Sequence, residues 1–147
     1  MKKIRTDRLV LIKSARGFLI YSKRLFRQGE NIGHIFFHAP YHKHGQEGIS
    51  NRKDNIGYNI EQEQRGRGYA GEALRAVTKY RIKKNFVPVL EIDDSNINSI
   101  RVAEKEGFCP IEENKEPVGY KLYVPEGLAT NIKSKKLVLI KNEEILK

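Results

Sequence analysis

The stretch IGYNIEQEQRGRGYAGEAL, residues 56–74, joins a strand pattern to a helix pattern through a glycine-rich turn. Its first part, IGYNIE at 56–61, predicts a strand. From Ala70 onward the apolar residues fall at the spacing of one helix face: Ala70, Ala73, Leu74 and Val77. A strand that passes through a turn directly into a helix predicts a crossover at the centre of an α/β domain.

Further strands and one further helix surround this crossover. Apolar and strand-forming runs predict strands at 8–13, 17–26, 31–38, 88–93, 108–111 and 119–124. A second helix is expected from about Ile97 to Glu106. Ser95 or Asn96 would form its N-cap, and Gly107 follows its end. Strands come first, followed by helix, strand, helix and two strands, and this order predicts a mixed α/β (α+β) fold.

The 147 residues suit one domain, spanning 1–147. Polar residues with Pro and Gly predict a long exposed loop at 39–54. KLVLIK at 136–141 echoes RLVLIK at 8–13, so residues 127–147 are expected to form a C-terminal extension with an extra strand. The two strings are either unrelated strands of similar composition, or the last one joins the sheet of its own chain or of a partner.

Composition and charge limit the class of protein. With 39% hydrophobic and 31% charged residues, the chain is expected to be a globular protein without a membrane span. The first 14 residues lack the features of a signal peptide, and Cys109 is the single cysteine, so a reducing, cytoplasmic location is expected. A formal charge of +10 favours anionic partners such as a nucleotide, an acidic peptide or RNA.

Three glycines at the start of the first helix, Gly66, Gly68 and Gly71, predict an anion site. The first turn of a helix offers unpaired N–H groups, and glycine lets the backbone approach a ligand closely. The alternative is an ordinary strand-to-helix turn. The letters also match the dinucleotide pattern G-x-G-x-x-G, but several hairpin strands precede it and too little chain follows residue 100 for a doubly wound fold.

Three segments in order resemble the GNAT superfamily of N-acetyltransferases. Residues 65–70, RGRGYA, are similar to its acetyl-CoA motif Q/R-x-x-G-x-G/A. NINSIRVAEKEGF at 96–108 resembles its second signature, and IGYNIEQEQ resembles the strand that pairs with pantetheine. The resemblance covers roughly residues 30–125. TDRLVL, together with the second signature, is similar to the branch of ribosomal-protein N-terminal acetyltransferases.

This resemblance implies a mostly antiparallel central sheet with a splayed strand pair and two main helices, and it implies acetyl-CoA as co-substrate. Backbone amides of the glycine loop would hold the pyrophosphate, while Tyr58, Asn59 and Ile60 would offer main-chain partners to the pantetheine arm. The residues implied to bind the cofactor are Tyr58, Asn59, Ile60, Arg65, Gly66, Arg67, Gly68, Tyr69, Ala70, Gly71 and Asn96.

Two residues are implied in catalysis. Glu91 resembles the glutamate that serves as base in related N-terminal acetyltransferases; the alternative is a charged residue at a strand edge. Many family members have a tyrosine as proton donor where this chain has Ala103. Ser99 is the replacement candidate, although a serine near a helix start also serves simply to hydrogen-bond the backbone. Water, or no acid at all, are the other options.

The acceptor side departs from the family pattern. Family members usually place two helices between the first two strands, whereas here only SARG at 14–17 intervenes. An open acceptor face, or one completed by a second copy or by the 39–54 loop, is therefore expected. The acceptor would be a primary amine of a small molecule, protein or peptide. The alternatives are a CoA-binding module with little or no catalysis, and a basic RNA- or ribosome-associated protein on the same scaffold.

Histidines in HAPYHKH, at His38, His42 and His44, have a spacing that could suit a metal. No cysteine or acidic ligand completes the set, so no metal site is expected, and a solvated loop is favoured.

Overall fold

The structure, a computed structural model, describes residues 2–24, 28–38, 53–84, 86–111 and 119–126. These residues form one eight-stranded sheet and two α-helices. The strands are β1 (Lys3–Arg5), β2 (Leu9–Lys13), β3 (Gly17–Ser22), β4 (Gly33–His38), β5 (Lys53–Ile60), β6 (Val87–Asp93), β7 (Phe108–Ile111) and β8 (Tyr120–Pro125). The helices are α1 (Tyr69–Lys83) and α2 (Ile97–Lys105), and a short 3-10 turn spans Gln62–Gln64.

The sheet has the order β1-β2-β3-β4-β5-β6-β8-β7. Every neighbouring pair is antiparallel except β5 and β6, which run parallel on either side of the α1 crossover. The predicted mixed, mostly antiparallel fold is therefore confirmed. A turn of three residues, 14–16, links β2 to β3, and Ser14 N donates to Gly17 O at 2.9 Å.

β5 and β6 separate after a short paired segment. They pair only where Lys53–Asn55 lies beside Val87–Val89. From Leu90 onward β6 pairs on its other side with β8, while β5 continues to pair with β4 as far as Ile60. Among the described residues, the edge of β5 that faces β6 therefore has no strand partner from Ile56 onward. This is the splayed pair that the family resemblance implies.

Both helices cover one face of the sheet. The core beneath them contains alternate strand residues, including Leu11, Ile20, Ile56 and Leu90, packed against the buried Leu74 of α1. These side chains have at most a few per cent of their surface exposed, and each such burial stabilises the fold by about 1.5–3 kcal/mol. This packing fixes the positions of the end of β5 and the starts of α1 and α2, which lie next to one another.

Several boundaries differ from the predictions. β1 was not expected, because KIR is too short and too polar to show an apolar pattern. β5 begins at Lys53, so the last two residues of the predicted 39–54 loop belong to a strand. The strand expected at 17–26 ends at Ser22. The rest of that loop and the extension at 127–147 lie outside the described residues.

Candidate active site

The start of α1 is built to leave its backbone donors exposed. Gly66 and Gly68 have φ angles of +79° and +81°, which side chains rarely adopt. Gly68 is the N-cap residue, and no side chain in the described part of the chain caps the helix there. The N–H groups of the first turn, together with the positive end of the helix dipole, therefore point toward a ligand position rather than toward a cap.

The third glycine, Gly71, has a different structural role, which is to allow close packing of the two helices. A Cβ on Gly71 would lie 2.8 Å from Oε1 of Glu106, so the absence of a side chain lets the end of α2 approach α1 closely. Glu106 is almost fully buried and accepts two hydrogen bonds from Arg75, at 2.7 and 3.0 Å. Gly71 thus fixes the spacing of the two helices whose starts flank the site.

A cleft of about 610 Å³ lies where β5, the glycine loop, α1 and α2 meet. It is lined by ten of the eleven residues predicted to bind the cofactor, and by the predicted catalytic residue Ser99. The ten are Tyr58, Asn59, Ile60, Arg65, Gly66, Gly68, Tyr69, Ala70, Gly71 and Asn96. Segments about 40 residues apart in sequence are therefore brought to one concave site.

Arg67, the eleventh, lines the neighbouring groove instead of the cleft. Its carbonyl accepts a hydrogen bond of 2.7 Å from Nη1 of Arg8, whose guanidinium also lies 4.8 Å from the Tyr69 ring centre. Arg8 donates further to Oε1 of Glu72 at 2.7 Å, and the Thr6 hydroxyl hydrogen-bonds Oε2 of the same carboxylate. The chain before β2 therefore holds the glycine loop and the first turn of α1 together.

The contacts with Thr6 and Arg8 lower the pKa of the Glu72 carboxylate. Partial burial alone would raise its pKa, but hydrogen bonds from Thr6 and from the backbone and side chain of Arg8 outweigh burial. The net result is a pKa below the ordinary value of 4.5. The pair is partly screened by water, since the Arg8 side chain is 44% exposed.

Arg65 fixes the other side of the loop. Its Nε donates to the carbonyl of Ile60 at 2.8 Å, and its Nη2 lies 3.3 Å from Oδ1 of Asn59. The side chain thus ties the loop to the end of β5. Because the guanidinium stays at the cleft, its charge also contributes to a positive potential there.

A hydroxyl pair lies inside the cleft between β5 and α2. The Tyr58 oxygen is buried and makes no hydrogen bond of ordinary geometry to the described residues. Burial raises the pKa of Tyr58, and the nearby Ser99 hydroxyl offsets part of that rise. The phenol therefore stays protonated at neutral pH. The sequence indicated Tyr58 only for its main chain, because nothing local shows that its ring meets α2.

Asn96 forms the cap of α2. Its side-chain oxygen accepts from the Ser99 N–H at 3.2 Å, which confirms one of the two predicted caps. Ser95 instead donates its N–H and hydroxyl to Asp93, at 2.9 and 2.7 Å. These bonds lower the pKa of Asp93, the hydroxyl contributing most.

Glu91 lies two residues beyond Val89, the last residue of β6 that pairs with β5, and it pairs on the other side with Leu122 of β8. Leu90 and Ile92 belong to the core under the helices, so strand alternation directs Glu91 to the opposite face. Its Oε1 atom is buried. The structure therefore does not bring Glu91 into the lining of the cleft; it places this carboxylate beside the gap, on the other face of the sheet.

Four lining residues were missed by the sequence reading: Gln64, Asn98, Arg101 and Val102. The last three are spaced i, i+3 and i+4 on α2, so they lie on one face of the helix, next to Ser99. This helical spacing is the sequence pattern that could have identified them. Arg101 is exposed and adds a second cation to the cleft. Ala103, at the position of the family tyrosine, is fully buried in the core.

The described residues contain no group of three or more His, Cys, Asp or Glu side chains arranged to hold a metal ion, and His42 and His44 lie outside them. Within the same ranges, neither helix is long and apolar enough to cross a membrane.

The fold and cleft define an α/β protein with an uncapped helix start beside a split sheet. The model of the GNAT acetyltransferase domain matches residues 3–109, and the chain belongs to this family. Comparison with curated protein sequences finds no match.

Solved structures share the fold at low identity. A protein from Bordetella pertussis assigned to the GNAT acetyltransferases has a TM-score of 0.65 and 20% identity, over 84% of this chain and 98% of its own. A GNAT-family acetyltransferase from Bacillus anthracis gives 0.62 and 18%, over 84% and 95%. RimL, a ribosomal L7/L12 alpha-N-protein acetyltransferase in complex with coenzyme A, gives 0.52 and 18%, over 81% of this chain and 63% of that one.

Proposed function

We propose that this protein is an acetyl-CoA-dependent N-acetyltransferase that acetylates a primary amine. The observation that carries the proposal is the cleft, in which an uncapped helix start, an unpaired strand edge and two arginines converge. Membership of the family supports the class of reaction. The acceptor is a small molecule or the amino group of a protein or peptide.

The residues present fit acetyl-CoA. The backbone N–H groups after Gly68 would bind the pyrophosphate, and Arg65 and Arg101 would offset its charge. The free edge of β5 at Tyr58–Ile60 offers main-chain groups to the amide-containing pantetheine arm, as an edge strand offers them to a further strand. RimL, which shares this fold, binds coenzyme A in its solved complex.

Acetyl-CoA supplies a thioester, so that the acceptor amine forms an amide and a thiolate leaves. The amine must be neutral to attack, and Glu91 is the residue proposed to accept its proton, directly or through water. Because Glu91 faces away from the helices while the cleft lies on their side, the acceptor would enter from the sheet face opposite the helices. The gap that opens where β5 and β6 diverge would be the passage between the two faces.

Tyr58 and Ser99 are the proposed proton donors to the leaving thiolate. Ser99 was expected from the sequence, and the buried Tyr58 hydroxyl beside it is the stronger candidate. A phenol kept protonated by burial can give a proton to a thiolate in a site that excludes water. Tyr58 would in this way take the role of the family tyrosine, whose position in this chain is occupied by Ala103.

Three finer properties are also proposals. The turn at 14–16 leaves no helical pair beside β2, which supports an acceptor face that is open or is completed by a second copy of the chain. A ribosomal-protein amino terminus is one acceptor of the right class, from the sequence resemblance to that branch. A cytoplasmic location agrees with a chain that has one cysteine.

Titration calorimetry with acetyl-CoA tests the cofactor. We expect one site per chain, weakened at least tenfold in a Gly68→Val variant, because a branched side chain resists a φ of +81°. Gly29→Val is the matched control, since Gly29 has a φ of +70° in a turn away from the cleft. Absence of binding to the unaltered protein would overturn the proposal.

A CoA-binding module without turnover is the second candidate, favoured by the buried Ala103. Acetyl-CoA consumption against a panel of amines and peptides separates the two functions. Turnover with any acceptor establishes the enzyme, whereas tight binding of acetyl-CoA without turnover across the panel favours the module.

A further inference from the structure

A second concave surface lies on the outer side of α1, away from the cleft. It has a volume of about 760 Å³, and we call it the basic groove. One wall is the segment from Lys2 to Arg8, which includes β1, and the other is the exposed face of α1 as far as Lys83. Lys2 spans the two walls, with Nζ 4.5 Å from the ring centre of Tyr80. Neither the cofactor nor the acceptor of the proposed reaction accounts for this surface.

The charge of the groove is strongly one-sided. Eight of its lining side chains are Lys or Arg and three are Asp or Glu. Two of the carboxylates, Glu72 and Glu106, are paired with Arg8 and Arg75. The groove also carries Lys2, Arg5, Arg67, Lys83 and Lys105, against Asp7. Cations held this close repel one another, so an anionic partner gains free energy by neutralising them.

The shape of the groove favours an extended anion. It follows α1 from Arg67, just before the helix, to Lys83, its last residue. A helix of 15 residues is about 22 Å long, which corresponds to about six nucleotides of a stacked strand at the duplex spacing of about 3.4 Å per strand. A compact anion would reach only part of this row. Tyr80 adds one aromatic ring to the lining, as surfaces that bind single strands commonly do.

We propose that the basic groove binds the phosphate backbone of a single-stranded nucleic acid. The phosphates lie between the cations of the β1 segment and those of α1, without base-specific contacts. This binding is independent of acetyl transfer, because only Gly68 lines both the groove and the cleft. The inference therefore does not rest on the proposed enzymatic activity.

Fluorescence anisotropy with a labelled 12-nucleotide single-stranded RNA of mixed sequence tests the proposal, with coenzyme A present in excess to occupy the cleft. We expect log Kd to vary with log salt concentration with a slope of about 0.7 for each phosphate contact. An Arg5→Ala/Lys83→Ala double variant removes one cation from each wall. It should bind at least tenfold more weakly and lose about 1.4 from the slope, the value of two contacts.

The matched control is Arg16→Ala/Lys121→Ala, which also removes one exposed arginine and one exposed lysine but leaves the groove intact. It should keep both the affinity and most of the slope. Equal losses in the two variants would assign binding to overall charge and overturn the proposal. Equal affinity for a twelve-residue poly-glutamate peptide would overturn it as well, because carboxylates would then suffice.

Discussion

At the scale of single residues, the proposed proton donors depend on the position of one phenol. Tyr58 belongs to β5, but its hydroxyl lies beside Ser99 of α2, buried in the cleft. Ser99 in turn is held by the Asn96 cap. Each of these groups has a structural reason for its position, and together they supply a protonated hydroxyl where the family position, Ala103, supplies none.

Replacing Tyr58 with Phe should lower kcat about 100-fold at pH 7 while acetyl-CoA affinity changes little, because only the transferable proton is lost. Steady-state kinetics with calorimetry measures both. Ser99→Ala is the comparison, and its smaller effect would assign the main role to Tyr58. An unchanged kcat in Tyr58→Phe would reject the phenol as donor.

Glu91→Gln should reduce turnover about 100-fold at neutral pH and leave acetyl-CoA binding intact, since an amide cannot accept the proton. Asp93→Asn is a close control, because Asp93 follows on the same strand face but is engaged by Ser95. If the Asp93 variant loses as much activity as the Glu91 variant, a general loss of negative charge explains the effect and the base lies elsewhere.

At the scale of elements, the start of α1 is fixed from two directions. The Arg8–Glu72 contact joins residues 64 positions apart, and Gly71 sets the distance to α2. A helix start without a side-chain cap depends on such contacts from other elements to hold its position. The proposed anion site therefore depends on how α1 packs against the chain before β2 and against α2.

Gly71→Ala should destabilise the protein by about 1–3 kcal/mol, because the new Cβ would lie 2.8 Å from the buried Glu106 carboxylate. The free energies of urea unfolding of Gly71→Ala, Glu106→Ala and the double variant form a double-mutant cycle. The cycle measures the interaction energy between the new Cβ and the Glu106 side chain. The cost of Gly71→Ala should be smaller when residue 106 is already alanine. Additive costs would show that the two side chains do not meet.

The pH dependence of stability should report Glu72. Its pKa is lowered in the folded state, so its stabilisation is fully present above the unfolded value near 4.5 and is lost as pH falls through the folded value. Glu72→Gln should therefore lower the midpoint of thermal unfolding at pH 7 and flatten its fall in acid. Glu63→Gln, at an exposed glutamate of the 3-10 turn, should retain the steep fall. Identical acid profiles for the two variants would contradict this role.

The sequence predicted the features that depend on residues close to one another in the chain. The glycine loop, the helix that follows it and the Asn96 cap depend on neighbouring residues, and their patterns were sufficient to find them. Two contacts depend on how elements distant in sequence pack: Arg8 with Glu72, and Tyr58 with Ser99. No local sequence pattern predicts such contacts. β1 escaped prediction because its three residues are held by pairing with β2 rather than by their own burial.

At the scale of the whole molecule, charge and cleft act together. The chain has a formal charge of +10, and acetyl-CoA is an anion. A positive field accelerates the arrival of an anionic ligand, and 0.1 M salt largely screens that field beyond about 10 Å.

The association rate of acetyl-CoA should therefore fall several-fold between low salt and 0.5 M salt, while its dissociation rate changes less. Stopped-flow fluorescence measures both rates. A reversed pattern, with salt acting mainly on dissociation, would show that contacts inside the cleft, rather than the field of the whole protein, control the dependence.

The three-residue turn at 14–16 makes this chain a scaffold to which substrate preference can be added. Both ends of the turn are anchored, by the Ser14–Gly17 hydrogen bond and by the close approach of Gly17 to β4. Lengthening an exposed connection costs little, about 0.6 kcal/mol for each doubling. A helical hairpin grafted at this position would therefore add a chosen recognition element to the protein without rebuilding the cleft.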